Sequence, residues 1–197
     1  GVANLAFLVT GGLAILVALL AGPLVCGQLG IAPGFSPSQQ NFAVELMRLN
    51  FISTLIFSIS GLVMAGLQAN QHFLLPALAP LVYDMGQIFG ALILAPEEGY
   101  VVGPIRLPAY GFGINGLVYG VIIGAALHLL IQVPGLFRFH FHWVPKIDFK
   151  DPSFRKVLRL MGPRLVSMAF IQFIFLAIEK VASRLPAGSV TALSYGW

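Results

Sequence analysis

Charged side chains are scarce in this sequence. Asp, Glu, Lys and Arg make up 9% of its 197 residues, where a water-soluble domain carries about 25%, so the ionic surface of an ordinary soluble protein is missing. Cysteine is nearly absent. Cys26 stands alone, which excludes an internal disulfide and a cysteine-rich metal site and leaves it to pack as a small apolar side chain. There is no glycine-rich phosphate loop, no helical His-Glu-x-x-His and no nucleophile elbow, which removes the most recognisable nucleotide-binding and hydrolytic chemistries. No basic residue precedes the first apolar run, and that run is too long for the core of a cleaved signal peptide. The chain opens at Gly1 without Met and stops at Trp197 shortly after a new helix-like pattern begins, which reads as a segment of a larger protein.

What the chain has in quantity is apolar length: 58% of residues are hydrophobic and mean hydropathy is +0.90. Leu5 to Leu29, Leu49 to Gln71, Phe73 to Ala95, Tyr110 to Phe137 and Val157 to Leu185 each reach the roughly 20 residues that a helix needs to cross about 30 Å of hydrocarbon. The reading is an all-α, polytopic membrane helix bundle with helices at 2–29, 38–70, 73–95, 110–137 and 152–185, followed at 186–197 by an outer turn and the start of a further helix. Gly30-Ile31-Ala32-Pro33-Gly34 stops the first helix. Ser36-Pro37-Ser38 opens the second, with serine as N-cap and proline in the first turn. Pro80 is expected to kink the third, since a membrane helix tolerates proline when neighbours satisfy the freed carbonyl.

Charge location sets sidedness. Arg138, Lys146, Lys150, Arg155, Lys156 and Arg159 stand against Asp148 and Asp151, so the positive-inside rule makes loop 138–156 cytoplasmic. Alternation then places loop 96–108, with Glu97 and Glu98 against Arg106, on the extracytoplasmic side. Juxtamembrane Lys and Arg are explained by lipid headgroups, so no nucleic-acid partner is invoked.

The polar residues inside the runs carry the functional argument, because an ionisable group in hydrocarbon costs at least about 2.5 to 3.5 kcal/mol on insertion scales and needs a partner, water or a role. Asp84 falls near the middle of the third run, with Gln87 one turn on. In the fifth run Arg164, Gln172 and Glu179 fall within about 80° on a helical projection, the pattern of a cavity-facing side. In the second, Asn50, Ser53, Thr54, Phe57, Gly61, Ala65 and Gln68 share a small, polar face. The competing readings are a hydrogen-bonded buried carboxyl for Asp84, snorkelling toward headgroups for Arg164, Lys180 and Arg184, and plain helix packing for the serine and threonine.

Gly116, Gly120 and Gly124, four residues apart, are expected to let another backbone approach closely, and His128 extends that line as an interhelical hydrogen-bond donor. Phe137 to Trp143 alternates aromatic with basic or titratable residues, as a segment lying in the bilayer interface would. His140 and His142 lack a Cys or carboxylate at ligand spacing, so no metal site is assigned. No cofactor is expected.

The order of motifs resembles the MurJ/MviN lipid II flippases. The resemblance rests on Ala32-Pro33-Gly34-Phe35, on Phe73-Leu74-Leu75-Pro76-Ala77-Leu78-Ala79-Pro80, and on Gly116-Leu117-Val118-Tyr119-Gly120 with Gln132-Val133-Pro134. Asp151-Pro152 to Leu160 and Gly188-Ser189-Val190-Thr191-Ala192-Leu193 complete it. It implies that the five runs are helices three to seven of a protein of about fourteen, in the two-lobed fold of the multidrug/oligosaccharidyl-lipid/polysaccharide exporters, in the bacterial inner membrane. It implies as substrate the undecaprenyl-pyrophosphate-linked peptidoglycan precursor, and as partners membrane lipids and the other helices of the same protein.

The resemblance also implies Na+ or H+ coupling: Glu179 aligns with an acidic position similar to the family's cation site, glutamate standing for the more usual aspartate. Asp84 falls where the family commonly has asparagine, and Arg164 lies outside its usual pattern. The family's substrate arginines lie mainly on two preceding helices and on the helix after Pro186. There Tyr195-Gly196-Trp197 replaces the start of Tyr-Ala-Asp-Arg. Competing functions are a related exporter of drugs or lipid-linked polysaccharide units, a polyprenyl-phosphate membrane enzyme, and a transport-inactive scaffold.

Overall fold

The computed structural model describes residues 2–26, 30, 32–102, 104–138, 152–186 and 188–196. The helices are α1 (Val2–Leu19), α2 (Ala21–Val25), α3 (Pro37–Ala69), α4 (Leu74–Phe89), α5 (Ile114–Leu130), α6 (Val133–Arg138), α7 (Pro152–Ala182) and α8 (Ser189–Tyr195). Among the described residues four helical stretches are long and apolar enough to cross a bilayer: Pro37–Ala69, Leu74–Leu94, Ile114–Arg138 and Arg155–Ala182. The protein is an all-α, polytopic helix bundle, apart from a two-residue ribbon pairing Val101–Val102 (β1) with Ile105–Arg106 (β2).

The first apolar run is not one helix. It divides at Leu20, where Gly22-Pro23 weakens the ladder: glycine favours the unfolded chain and proline has no N–H to offer. Backbone bonds from Leu20 to Leu16 and from Leu24 to Leu20 carry the chain through the break. Residues 27–29, the expected end of this helix, lie outside the described residues, as do His140 and His142.

The chain forms two compact units, one from residues 1–5, 16–47 and 145–197, the other from 6–15 and 48–144. In the first, Ala21, Val25, Ala32 and Val44 make a small core, with Cys26, Phe35, Ala43 and Met47 packed against it. Gln40 ties this core to the breaker segment by donating its Nε2 to the Ala32 carbonyl at 2.8 Å. Ser36 opens α3 through a reciprocal capping box. Its backbone N–H donates to Gln39 Oε1 at 3.0 Å and its Oγ receives the Gln39 N–H at 3.4 Å. Gly34 presses on the backbone carbonyl of Ser183, leaving no room for a Cβ.

In the second unit α3 and α4 are joined by a Schellman turn. The His72 N–H reaches the Leu67 carbonyl and the Gln71 N–H the Gln68 carbonyl, both at 3.0 Å. Its left-handed position holds Gln71 (φ 59°) in place of the usual glycine. Gln71→Gly is therefore expected to raise stability by about 1 kcal/mol, read as a higher unfolding temperature in detergent.

The far end of α4 runs on through a π-helical turn at Gly90–Leu94, closed by the Ala95 N–H on the Gly90 carbonyl at 2.9 Å. The carbonyls of Ile93, Leu94, Ala95 and Pro96 are then taken by the backbone N–H groups of Tyr110, Phe112, Gly113 and Gly111. This corrects the start of the fourth run. Residues 110–113 form a non-helical, hydrogen-bonded cap on α4, with Gly111 and Gly113 at positive φ, and the next helix begins at Ile114.

Candidate functional site

α7 is a continuous helix despite Pro163, and Arg164, Gln172 and Glu179 all lie on it with exposed side chains. At about 1.5 Å per residue the stripe from Arg164 to Glu179 is about 22 Å long, most of a bilayer core. Lys180 is partly covered and Arg184 exposed at the helix end. Asp84 and Gln87 lie on α4, the first exposed and the second half-buried; Asn50 and Gln68 are exposed on α3. The predicted residues thus fall into two sets, Arg164, Gln172 and Glu179 in the first unit and Asn50, Gln68, Asp84 and Gln87 in the second.

The polar face read on α3 is partly self-satisfied. Ser53 donates its hydroxyl to the Asn50 carbonyl at 2.6 Å and to Asn50 Oδ1 at 2.8 Å, and Thr54 donates to the same carbonyl at 3.2 Å. Serine and threonine in helices commonly bond the preceding turn in this way, so the protons of these hydroxyls are already committed within the helix. The most buried positions of the helix are Ser53 (3% exposed), Ser60 (0%) and Leu67 (2%), a line with a period of seven residues.

The glycine line of α5 packs against α4, as its spacing indicates. A Cβ on Gly120 would lie 2.6 Å from the Gly90 Cα and 3.0 Å from the Gly86 carbonyl. One on Gly116 would lie 2.6 Å from the Ala95 nitrogen, one on Gly124 2.6 Å from the Tyr83 carbonyl, and one on Gly86 would fall on the Gly124 Cα. Gly86 and Gly90 complete the seam from the α4 side.

His128 joins α5 to α3, with its Nδ1 2.7 Å from Ser60 Oγ. Gln132 closes the cluster: its Nε2 is 2.8 Å from Ser60 Oγ, 2.8 Å from the His128 carbonyl and 3.3 Å from His128 Nδ1. That carbonyl needs a side-chain donor because α5 is ending. The Gln132 backbone N–H has tightened onto Leu129, at 3.1 Å, and Pro134 brings no N–H. Phe57 stands edge-on to His128 (centroids 5.2 Å) and to Tyr83 (5.0 Å), locking α3, α4 and α5 together. Sequence reasoning singled out His128 but missed Ser60 and the side chain of Gln132. The available signals were the four-residue step from His128 to Gln132 and the seven-residue step from Ser53 to Ser60. Among the described residues no three of His, Cys, Asp and Glu gather where they could share a metal ion.

Comparison with known proteins gives this arrangement its context. The sequence profile of the family described as Lipid II flippase MurJ matches residues 1–197. The chain belongs to this family. Similar MurJ proteins include the lipid II flippase MurJ of Burkholderia cenocepacia, 28% identical over 173 residues, covering 84% of this chain and 31% of that protein. The probable lipid II flippase MurJ of Buchnera aphidicola subsp. Acyrthosiphon pisum is 25% identical over 166 residues, covering 83% and 30%. That of Synechocystis is 26% identical over 173 residues, covering 84% and 31%. The chain therefore spans about a third of the length of the curated MurJ relatives it matches. Family and helix lengths together make it a multi-pass membrane protein.

Proposed function

We propose that this chain is part of a carrier that moves lipid II, the undecaprenyl-pyrophosphate-linked peptidoglycan precursor, from the inner to the outer leaflet of a bacterial plasma membrane. The observation that carries the reading is the family match across all 197 residues. It is supported by the ionisable and amide side chains spaced along α7, a helix otherwise apolar enough to span the bilayer.

The chemistry demands such groups. A pyrophosphate cannot enter hydrocarbon unless protein donors replace its water, while the polyprenyl tail stays among the acyl chains. Arg164 is a cation along α7 suited to that headgroup, with Gln172 on the same helix; in the other unit Asn50 and Gln68 on α3 and Asp84 and Gln87 on α4 are polar candidates in their own right. Glu179 is the site through which Na+ or H+ drives the cycle. A charge moving across 100 mV releases about 2.3 kcal/mol, enough to bias rocking of one half of a carrier against the other. The basic segment 138–156 faces the cytoplasm and loop 96–108 the outside. The remaining helices of the same protein complete the pathway, and no bond of the substrate is made or broken.

Full-length protein reconstituted in vesicles is expected to make lipid II accessible to an impermeant reagent on the far leaflet, and to do so less well for neutral or cationic lipids. Unchanged outward movement of lipid II in cells depleted of the protein and of any redundant flippase would refute the proposal.

A further inference from the structure

We propose that Arg155, Lys156 and Arg159, in the first turns of α7, form a cationic collar that captures the pyrophosphate of a polyprenyl-linked lipid and passes it along the helix to Arg164. The inference rests on the carrier reading above and names where its substrate is first held. It begins with a charge imbalance inside one helix. From Pro152 to Ile178, α7 holds four cations, Arg155, Lys156, Arg159 and Arg164, and no acid; the first carboxylate on the helix is Glu179. Asp151, which precedes the helix in sequence, offsets one of the four charges.

This arrangement runs against the helix that carries it. The amino end of a helix is the positive end of its dipole, where acids are favourable and cations are not, yet the first turn of α7 has no acid and ends on Arg155. Arg155 and Arg159 stand four residues apart, the spacing at which like charges on a helix repel. Three exposed side chains of one sign within five residues therefore add to the field of the helix end instead of cancelling it. A bound anion removes both penalties at once. Local rules are broken in this way where function sets the sequence. Three of the four cations are arginine, whose planar fork meets phosphate oxygens in pairs.

The surface around the collar says what the anion is attached to. Leu160 is 70% exposed, and Met161, Leu165 and Val166 are exposed as well. On a helical projection Leu160 falls about 40° from both Lys156 and Arg164, so apolar surface lies between the collar and the deeper cation. A free phosphate would gain nothing from it. A lipid with an anionic head and a hydrocarbon tail meets both parts, and a pyrophosphate, with two charges in a small volume, matches three cations better than the single charge of a common phospholipid does. Arg164 lies about 8 Å beyond Arg159 along the axis, one step for a headgroup moving along the helix.

The test reads the collar directly. Full-length protein in phosphatidylcholine nanodiscs is treated with an amine-acetylating reagent, and the rates at Lys156 and Lys180 are followed by peptide mass spectrometry. Undecaprenyl pyrophosphate added to the nanodiscs is expected to slow acetylation of Lys156 severalfold and to leave Lys180, at the far end of the same helix, unchanged. Undecaprenol, inorganic pyrophosphate and phosphatidylglycerol at matched amounts should protect little, since each lacks the head, the tail or the second charge. In R155Q/R159Q the undecaprenyl pyrophosphate needed for half-protection should rise about tenfold or more, because charge-assisted contacts to phosphate are lost. The unfolding temperature of that variant should stay the same or rise, since cations leave the positive end of a helix. No protection of Lys156, equal protection by phosphatidylglycerol, or protection unchanged in R155Q/R159Q would overturn the proposal. The carrier reading is judged separately: vesicles that move lipid II while Lys156 stays unprotected would overturn the collar alone, and vesicles that fail to move it while protection holds would refute the carrier and uphold the collar as a binding site.

Discussion

Gly120→Leu is expected to abolish the α4–α5 seam and with it most of the folded protein. At this position even the first added carbon would stand 2.6 Å from the Gly90 Cα, and the atoms it meets are backbone, which cannot rotate aside. Overpacking a core against movable side chains costs about 1 to 3 kcal/mol, and more when nothing can yield, so a loss of about 3 kcal/mol or more is expected from leucine. Thermal unfolding of the detergent-solubilised protein measures it. Gly12→Ala is the control: nothing stands within 4 Å of its new carbon, and alanine favours a helix over glycine by about 1 kcal/mol, so that variant should melt at the same temperature or higher. A Gly120→Leu protein as stable as the parent would show that the two helices do not meet through their glycines.

On the function proposed above, Glu179→Gln in the full-length protein should leave insertion, yield and unfolding temperature unchanged while cutting lipid II translocation tenfold or more. The substitution keeps the shape and removes the charge of an exposed side chain on α7, so packing has little to lose. A hydrogen bond or ion contact to a charged group contributes about 1.5 to 3 kcal/mol, and every 1.36 kcal/mol is tenfold in rate; the deficit should therefore lie between about tenfold and about a hundredfold. On the proposal that a cation drives the cycle through Glu179, the deficit should be largest where that cation is scarce. Initial rates measured across Na+ concentration and pH decide the matter, and parental rates under every condition would remove Glu179 from the site.

The fold class was legible because bilayer thickness is a blunt ruler: about 20 apolar residues with few charges leave a helix few alternatives. Local chemistry was legible where one residue type has one use, as with Ser36 before Pro37 at the head of α3, or three glycines in step along α5. Backbone accounting was not. That residues 110–113 would be held out of the helix by the carbonyls of 93–96 cannot be read from Tyr-Gly-Phe-Gly alone. A ribbon of two residues per strand is likewise too short to leave a period.

For the site, helical projection gives the bearing of Arg164, Gln172 and Glu179 around one axis. It does not say which helix stands opposite. Ser60 was missed for a related reason, since a serine in an apolar run has the same appearance whether it bonds its own turn, as Ser53 does, or reaches another helix, as Ser60 does.

The glycine seam carries one more implication. Helices that mesh through leucine can ratchet, because flexible knobs climb from one hole to the next. Main chain lying directly on main chain has no such compliance: sliding by half a turn would drive Cα into Cα along the whole length from Gly116 to Gly124. With residues 110–113 bolted to the end of the partner helix as well, α4 and α5 must move as a single beam, and any bending of the protein has to be found outside it.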